Sequence, residues 1–395
     1  MAGGADWSLI DLIYHWPDSN DQFVLYVNKT HEGLELLIEK MPSTVEVRLF
    51  DSLLEVQDKI SKYSIFKNKI IKKIILLLLI PLKYVIYKKE ISSEQYDALL
   101  MNNGGYPGGL TNFLVSLAAK SLQIHKRVMI VRNYPAHYSK NNWLMKVSDW
   151  ISNRTLVRMV TVSQSLKKAI INKTNIDNKI IDVIYNGVSI DNMLSSNLHQ
   201  SETKYVKGLS VGIIGTLQER KGHKFLFRSW VTVLKKFPNA RLYVVASSDS
   251  GDKDKLIAVA KDLKIEQSIT WIEFTKNVGD IYQQLNVVVM PSLEYESFGR
   301  IIVEAMAFSV PIIATKVGGM PELIDHGKDG FLVEKNDEEN LANCIIKLLD
   351  DPESTKQMVK FGYQKYMSSY TADVMARSYY TCLLYTSDAA DEEDS

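Results

Sequence analysis

The chain of 395 residues has only two cysteines, Cys344 and Cys382, too few and too far apart for a disulfide framework or a thiolate metal site. That scarcity favours a reducing compartment. It has no excess of either charge: 47 Lys and Arg stand against 46 Asp and Glu, so no nucleic acid is expected as a partner. Twenty glycines and ten prolines leave no room for a collagen-like repeat or extensive disorder. The apolar run Ile74–Leu82 is nine residues long and contains Pro81, well short of the roughly 20 residues that span a bilayer. No charged-apolar-small leader opens the chain, since Met1–Ala5 runs straight into the helical pattern Trp7, Ile10, Leu12, Ile13. A cytoplasmic protein is expected. One tight carboxylate pair, Asp252 and Asp254, falls at an expected helix start and reads as capping, so no metal is expected either.

What is present is a two-domain length, at about 150 residues per domain, with 46% hydrophobic residues. From residue 20, continuous apolar runs alternate with amphipathic stretches: 23–27, 45–49, 98–101, 128–131, 157–162 and 180–184, then 209–214, 242–246, 269–272, 287–290 and 311–314. Runs of this kind with helices between them predict parallel strands buried on both faces, hence an α/β chain of two doubly wound parallel-sheet domains. The expected domains are 1–200 and 205–372, joined through the polar stretch Ser195–Lys204. Residues 382–395 read as the translated adapter of a sequencing library and are set aside; they carry five acids and no base, so the remainder is mildly basic. The pair Gly3-Gly4 has no strand before it, although a doubly wound domain places its glycine loop after its first strand. The first strand of the N-terminal domain is therefore expected to be missing.

Basic character is concentrated between Lys59 and Lys89, where nine lysines and no acid surround the apolar run. Such a segment suits either an anionic membrane surface, at about 1 kcal/mol per nearby base, or a core helix with a solvated lysine face.

The densest chemistry follows the expected strand 287–290, in Pro291-Ser-Leu-Glu-Tyr-Glu296-Ser297-Phe298-Gly299-Arg-Ile-Ile-Val-Glu304. The carboxyl edge of a parallel sheet is where open α/β sheets bind ligands. Ser297 is expected to cap a helix starting around Phe298-Gly299, and Gly299 to let a phosphate or sugar hydroxyl approach free amides. Glu296 and Glu304, up to about 12 Å apart along the helix axis, would hold different parts of one extended ligand. Two further loops leave the same edge: Gly215-Thr-Leu-Gln-Glu-Arg220-Lys221-Gly222, whose cations suit a diphosphate, and Val317-Gly318-Gly319-Met-Pro-Glu322.

With these motifs in their order, the chain resembles family 4 (group 1) retaining glycosyltransferases of GT-B architecture, over about residues 3–380. The most specific mark is Glu296 and Glu304 separated by seven residues; Gly3-Gly4, Asn186-Gly187-Val188 and Lys221-Gly222 support it. The resemblance implies two Rossmann-like domains facing a cleft, 1–200 on the acceptor side and 205–372 binding a nucleotide-sugar donor. Glu296 would hold donor-sugar hydroxyls and Glu304 the ribose. Lys221 would stabilise the departing diphosphate, with the amides of Ser297, Phe298 and Gly299, and no metal or other cofactor would be required. Gly215, Arg220, Gly318, Gly319, Gly3, Gly4 and Arg132 complete the implied binding set.

Two positions depart from the family pattern. Thr216 stands where an arginine is common, with Arg220 as a displaced substitute, and Arg132 stands where a histidine often precedes Asn-Tyr-Pro. Arginine cannot relay a proton near neutral pH, though it can contact a diphosphate or an anionic acceptor. His137 is a candidate stand-in. The implied activity is retaining transfer of a sugar from a nucleoside diphosphate to a glycan or lipid-linked acceptor in bacterial surface-polysaccharide synthesis, at the inner face of the plasma membrane if the lysine segment binds there. The alternatives are a non-catalytic nucleotide-sugar or glycan-binding subunit, favoured by Thr216 and Arg132, and a nucleotide-sugar epimerase, which lacks the glutamate spacing.

Overall fold

The computed structural model describes residues 3–50, 69–135, 138–139, 142–194, 209–247, 252–275 and 277–385. The side chains of 69–78, the stretch Ser195–Lys204, His137 and the residues after 385 lie outside what is described. The chain forms two compact units, 1–185 with 375–395, and 186–374.

The first unit opens with α1 (Gly4–Tyr14), β1 (Val24–Asn28), α2 (Leu34–Lys40) and β2 (Glu46–Phe50). After α3 (Lys69–Ile91) come β3 (Ala98–Gly105), α4 (Leu110–Ser121), β4 (Lys126–Asn133), α5 (Trp143–Thr155), β5 (Arg158–Thr161), α6 (Gln164–Lys173) and β6 (Ile181–Val183). All pairings are parallel, in a two-stranded sheet β1-β2 and a four-stranded sheet β3-β4-β5-β6. Among the described residues no ladder joins the two sheets. The inner positions of β4 and β5, Val128, Ile130 and Val160, are fully buried against Leu12 of α1 and Met375, Ala376 and Tyr379. Those last three belong to α13 (Ala372–Tyr385), which runs on through Cys382 and Leu383, both packed on the same core.

The second unit contains β7 (Ser210–Ile214), α7 (His223–Lys236), β8 (Arg241–Ala246), α8 (Lys253–Asp262), β9 (Ile269–Glu273), α9 (Gly279–Tyr282), β10 (Val287–Met290), α10 (Arg300–Ala307), β11 (Ile312–Thr315), β12 (Phe331–Val333), α11 (Glu338–Asp350) and α12 (Pro352–Ser369). Its sheet is six-stranded and wholly parallel, in the order β12-β11-β10-β7-β8-β9. Every residue of β7, β10 and β11 is buried, as expected for central strands covered on both faces. Strand order reverses between β10 and β7, so the loops after these strands open at the switch point where doubly wound sheets take ligands.

The expected strands are all found within a few residues of their predicted limits, and β12 is an addition. Two capping expectations are corrected. Asp252 occupies the N-cap position of α8 without capping it: its Oδ1 accepts from Lys255 Nζ at 2.9 Å, an ion pair that competes for the carboxylate. Nor does Ser297 cap α10. The helix begins at Arg300, and Gly299 is its N-cap in the left-handed region (φ 104°), with no side-chain cap bond.

Candidate active site

Three loops of the second unit meet around Glu296. The turn after β7 ends in Arg220 and Lys221, and both cations reach the same carboxylate oxygen: Arg220 Nη1 donates to Glu296 Oε1 at 2.9 Å and Lys221 Nζ at 2.5 Å. Ser292 Oγ donates to that oxygen at 3.1 Å. Oε2 accepts from none of them. Burial pushes the Lys221 ammonium pKa down, with the Glu296 charge opposing that shift and Arg220 adding slightly to it.

Backbone contacts fix this meeting point. Gly222 (φ 76°) turns the chain into α7, and a Cβ there would lie 1.9 Å from the carbonyl oxygen of Pro291. Gly318 (φ 59°) passes so close to Glu296 that a Cβ would stand 2.0 Å from its carbonyl oxygen, and the Gly319 amide donates to that oxygen at 2.7 Å. The Leu293 amide donates to the Arg220 carbonyl at 2.8 Å. Only glycine fits at 222 and 318. The sequence brought these loops to one sheet edge, and the structure brings together the named residues Gly318, Gly319, Arg220, Lys221 and Glu296. Gly215 (φ 144°) begins the first loop, with its amide on the Val245 carbonyl at 2.9 Å.

Glu304 lies on α10, buried, with both oxygens engaged. Arg300 Nε donates to Oε1 at 2.7 Å, one helical turn away, and the Tyr282 hydroxyl donates to Oε2 at 2.7 Å. Tyr282 is fully buried and stacked on Phe308 at 5.3 Å. Burial first, then the Glu304 charge, raises the Tyr282 phenol pKa well above its ordinary value, so the hydroxyl keeps its proton and acts as donor. A carboxylate has about four lone-pair sites; two are used here, and one remains on each oxygen. That arrangement suits a vicinal diol. Neither Tyr282 nor Arg300 stands out in the sequence, where the one signal is an arginine at a helix N-terminus, opposing the helix dipole.

His223 is the first residue of α7. It is 2% exposed, and neither ring nitrogen has a hydrogen-bond partner. Burial, with the Lys221 charge second, pushes its pKa down to about 4 from 6.5. The sign follows: between pH 6.5 and 4 the unfolded chain takes up a proton that the native ring refuses, so stability falls as pH drops through that window. The full loss is about 3 kcal/mol. His223→Leu is expected to abolish that component, flattening the urea-derived stability of the second unit between pH 7 and 4. An unchanged pH slope would contradict it.

Gly3, Gly4 and Arg132 lie in the first unit. Gly3 caps α1, its amide donating to Asp6 Oδ2 at 2.8 Å, and Gly4 is the first helical residue. Arg132 is buried near the carboxyl end of β4, its Nε on Asn102 Oδ1 at 2.6 Å. Among the described residues, no group of three or more His, Cys, Asp or Glu side chains is placed to hold a metal ion. No helix among them is long and apolar enough to cross a membrane.

A family model described as glycosyl transferases group 1 matches residues 195–365, the segment that carries all three loops. Over that segment the chain is similar to the family. It is an enzyme of the glycosyltransferase class, with the GT-B fold. An uncharacterized glycosyltransferase of Haemophilus influenzae is 25% identical over 272 residues, covering 68% of this chain and 72% of that protein. The capsular polysaccharide biosynthesis glycosyltransferase CapM of Staphylococcus aureus is 26% identical over 279 residues, covering 67% and 71%. In fold, the chain is similar to Anabaena HepE solved with UDP and glucose, with a TM-score of 0.73, 22% identity and 96% of each chain covered.

Proposed function

We propose that the chain transfers a sugar, with retention at the anomeric carbon, from a nucleoside diphosphate held by the second unit to a hydroxyl of a glycan or lipid-linked acceptor. The carrying observation is the convergence of Arg220 and Lys221 on one oxygen of Glu296, beside the N-terminus of α10. As the bond between the anomeric carbon and the diphosphate breaks and the bond to the acceptor oxygen forms, negative charge builds on the leaving diphosphate, which takes up the proton that the acceptor hydroxyl gives up. Fixed cations and amides stabilise that charge without reorganising. In this reading Lys221 and Arg220 face the diphosphate, aided by the amides of Ser297, Phe298 and Gly299 and by the Gly215 and Gly318-Gly319 turns. Glu296 Oε2 takes a donor-sugar hydroxyl and Glu304 the two ribose hydroxyls.

Gly3, Gly4 and Arg132 would serve the acceptor side, and no metal would take part. The name of CapM and the UDP and glucose in HepE support a polysaccharide setting and a nucleotide-sugar donor. A cytoplasmic protein drawn to the inner face of the plasma membrane through Lys59–Lys89 fits a lipid-linked acceptor.

Thermal melts with UDP, GDP and ADP, with and without EDTA, test the donor site. One nucleotide at about 100 times its dissociation constant should stabilise the protein by about 2.7 kcal/mol, and EDTA should leave that intact. No shift with any of the three would overturn the reading. Binding without a glycosidic product, across a panel of acceptors, would favour the non-catalytic alternative.

A further inference from the structure

The first unit carries a second surface that the donor chemistry does not use. On α5, Trp143, Val147 and Trp150 follow one another at helical spacing with 63, 42 and 55% exposure, and Leu144 beside them is 45% exposed. The stripe ends in Arg154, whose guanidinium lies 4.6 Å over the Trp150 ring. A similar stripe runs along α3, where Leu82 and Val85 are 55 and 60% exposed and Lys89 follows one turn on. The two helices flank α4, which packs against both, so the three form one layer. Six of the thirteen large apolar side chains exposed among the described residues are on α3 and α5.

Charge selects what covers this layer. Among the described side chains of α3, α4 and α5 there are six bases, of which Lys83 is buried and Lys88, Lys89, Lys120, Lys146 and Arg154 are not, and only two acids, Glu90 and Asp149. Asp149 is 1% exposed and turned inward, accepting from Tyr106 at 2.8 Å and from the Asn175 amide at 2.8 Å. A second copy meeting this face in an isologous dimer would set bases against bases. A polyanionic surface that also accepts indole rings satisfies both features, and an anionic bilayer is such a surface: Trp settles at headgroup level and each nearby base contributes attraction.

We propose that the outer face of α3 and α5 docks on anionic phospholipid, with Trp143 and Trp150 entering the headgroup layer. This goes beyond the lysine segment, because apolar side chains of a second helix make the contact. The proposal does not depend on the donor site, and its failure would leave the donor reading standing.

The test is co-sedimentation of the full chain with vesicles of phosphatidylglycerol and phosphatidylcholine, against phosphatidylcholine alone, with Trp fluorescence read alongside. Binding is expected to the anionic vesicles only, with a blue shift. Trp143→Ser with Trp150→Ser should weaken it by about tenfold or more, with circular dichroism and the nucleotide-induced melting shift unchanged. Lys72→Glu with Lys73→Glu should weaken it without removing the blue shift of the fraction that binds. Absence of binding, equal binding to neutral vesicles, or full binding by the double Trp variant would each overturn the proposal. So would a concentration-dependent dimer of the wild type that the Trp substitutions dissolve.

Discussion

Replacing Lys221 with methionine is expected to lower kcat for sugar transfer by about two to three orders of magnitude, with the fold intact. The ammonium sits at the end of the β7 loop, mostly buried, 2.5 Å from Glu296. In a desolvated site a fixed cation acts on developing charge far more strongly than in water. Methionine keeps the side-chain length and removes the charge. Glu296 is not orphaned, since Arg220 at 2.9 Å and Ser292 at 3.1 Å still donate to it. Donor KM should move much less than kcat, because the charge that Lys221 meets is largest in the transition state. Lys221→Arg should recover part of the rate. A methionine variant within tenfold of wild type would remove Lys221 from the reaction.

Glu304→Ala is expected to have two separable effects. It leaves the Arg300 guanidinium and the Tyr282 hydroxyl without their shared carboxylate, and breaking a buried pair in this way costs about 3–5 kcal/mol of stability. It also removes both acceptors proposed for the ribose diol. Arg300→Leu with Glu304→Leu keeps the site free of unpaired charge and should recover much of the stability without recovering nucleotide binding. Tyr282→Phe, which removes one donor to Glu304 and leaves its pairing with Arg300 in place, should reduce discrimination between UDP and its 2′-deoxy analogue. Unchanged nucleotide affinity in the double leucine variant would show that Glu304 does not touch the ligand.

Much of this site is legible in the sequence for one physical reason. Strands such as Val287–Met290 and Ser210–Ile214 are buried on both faces, so they read as unbroken apolar runs, and the loops after them must emerge at one edge. That places Arg220 and Lys221 beside Glu296 although some 75 residues separate them. β12 escapes because Phe331–Val333 is three residues long. The contact of Tyr282 with Glu304 joins the short α9 to α10 across an intervening strand, and no local pattern encodes it. His223 did leave a trace, since it shares the helical period of the buried Leu226, Phe227 and Trp230. The Trp143 stripe of α5 shows the reverse: periodicity reveals an apolar face without saying what covers it.

Everything proposed for this site requires that a nucleoside diphosphate bind the loops after β7, β10 and β11. Amide hydrogen exchange of the full chain, with and without saturating UDP or whichever nucleotide raises the melting point, tests it most directly. Slowed exchange is expected at residues 215–222, 296–300 and 318–319, lost in Arg300→Leu with Glu304→Leu. Protection confined to other segments, at a concentration that raises the melting point, would contradict it.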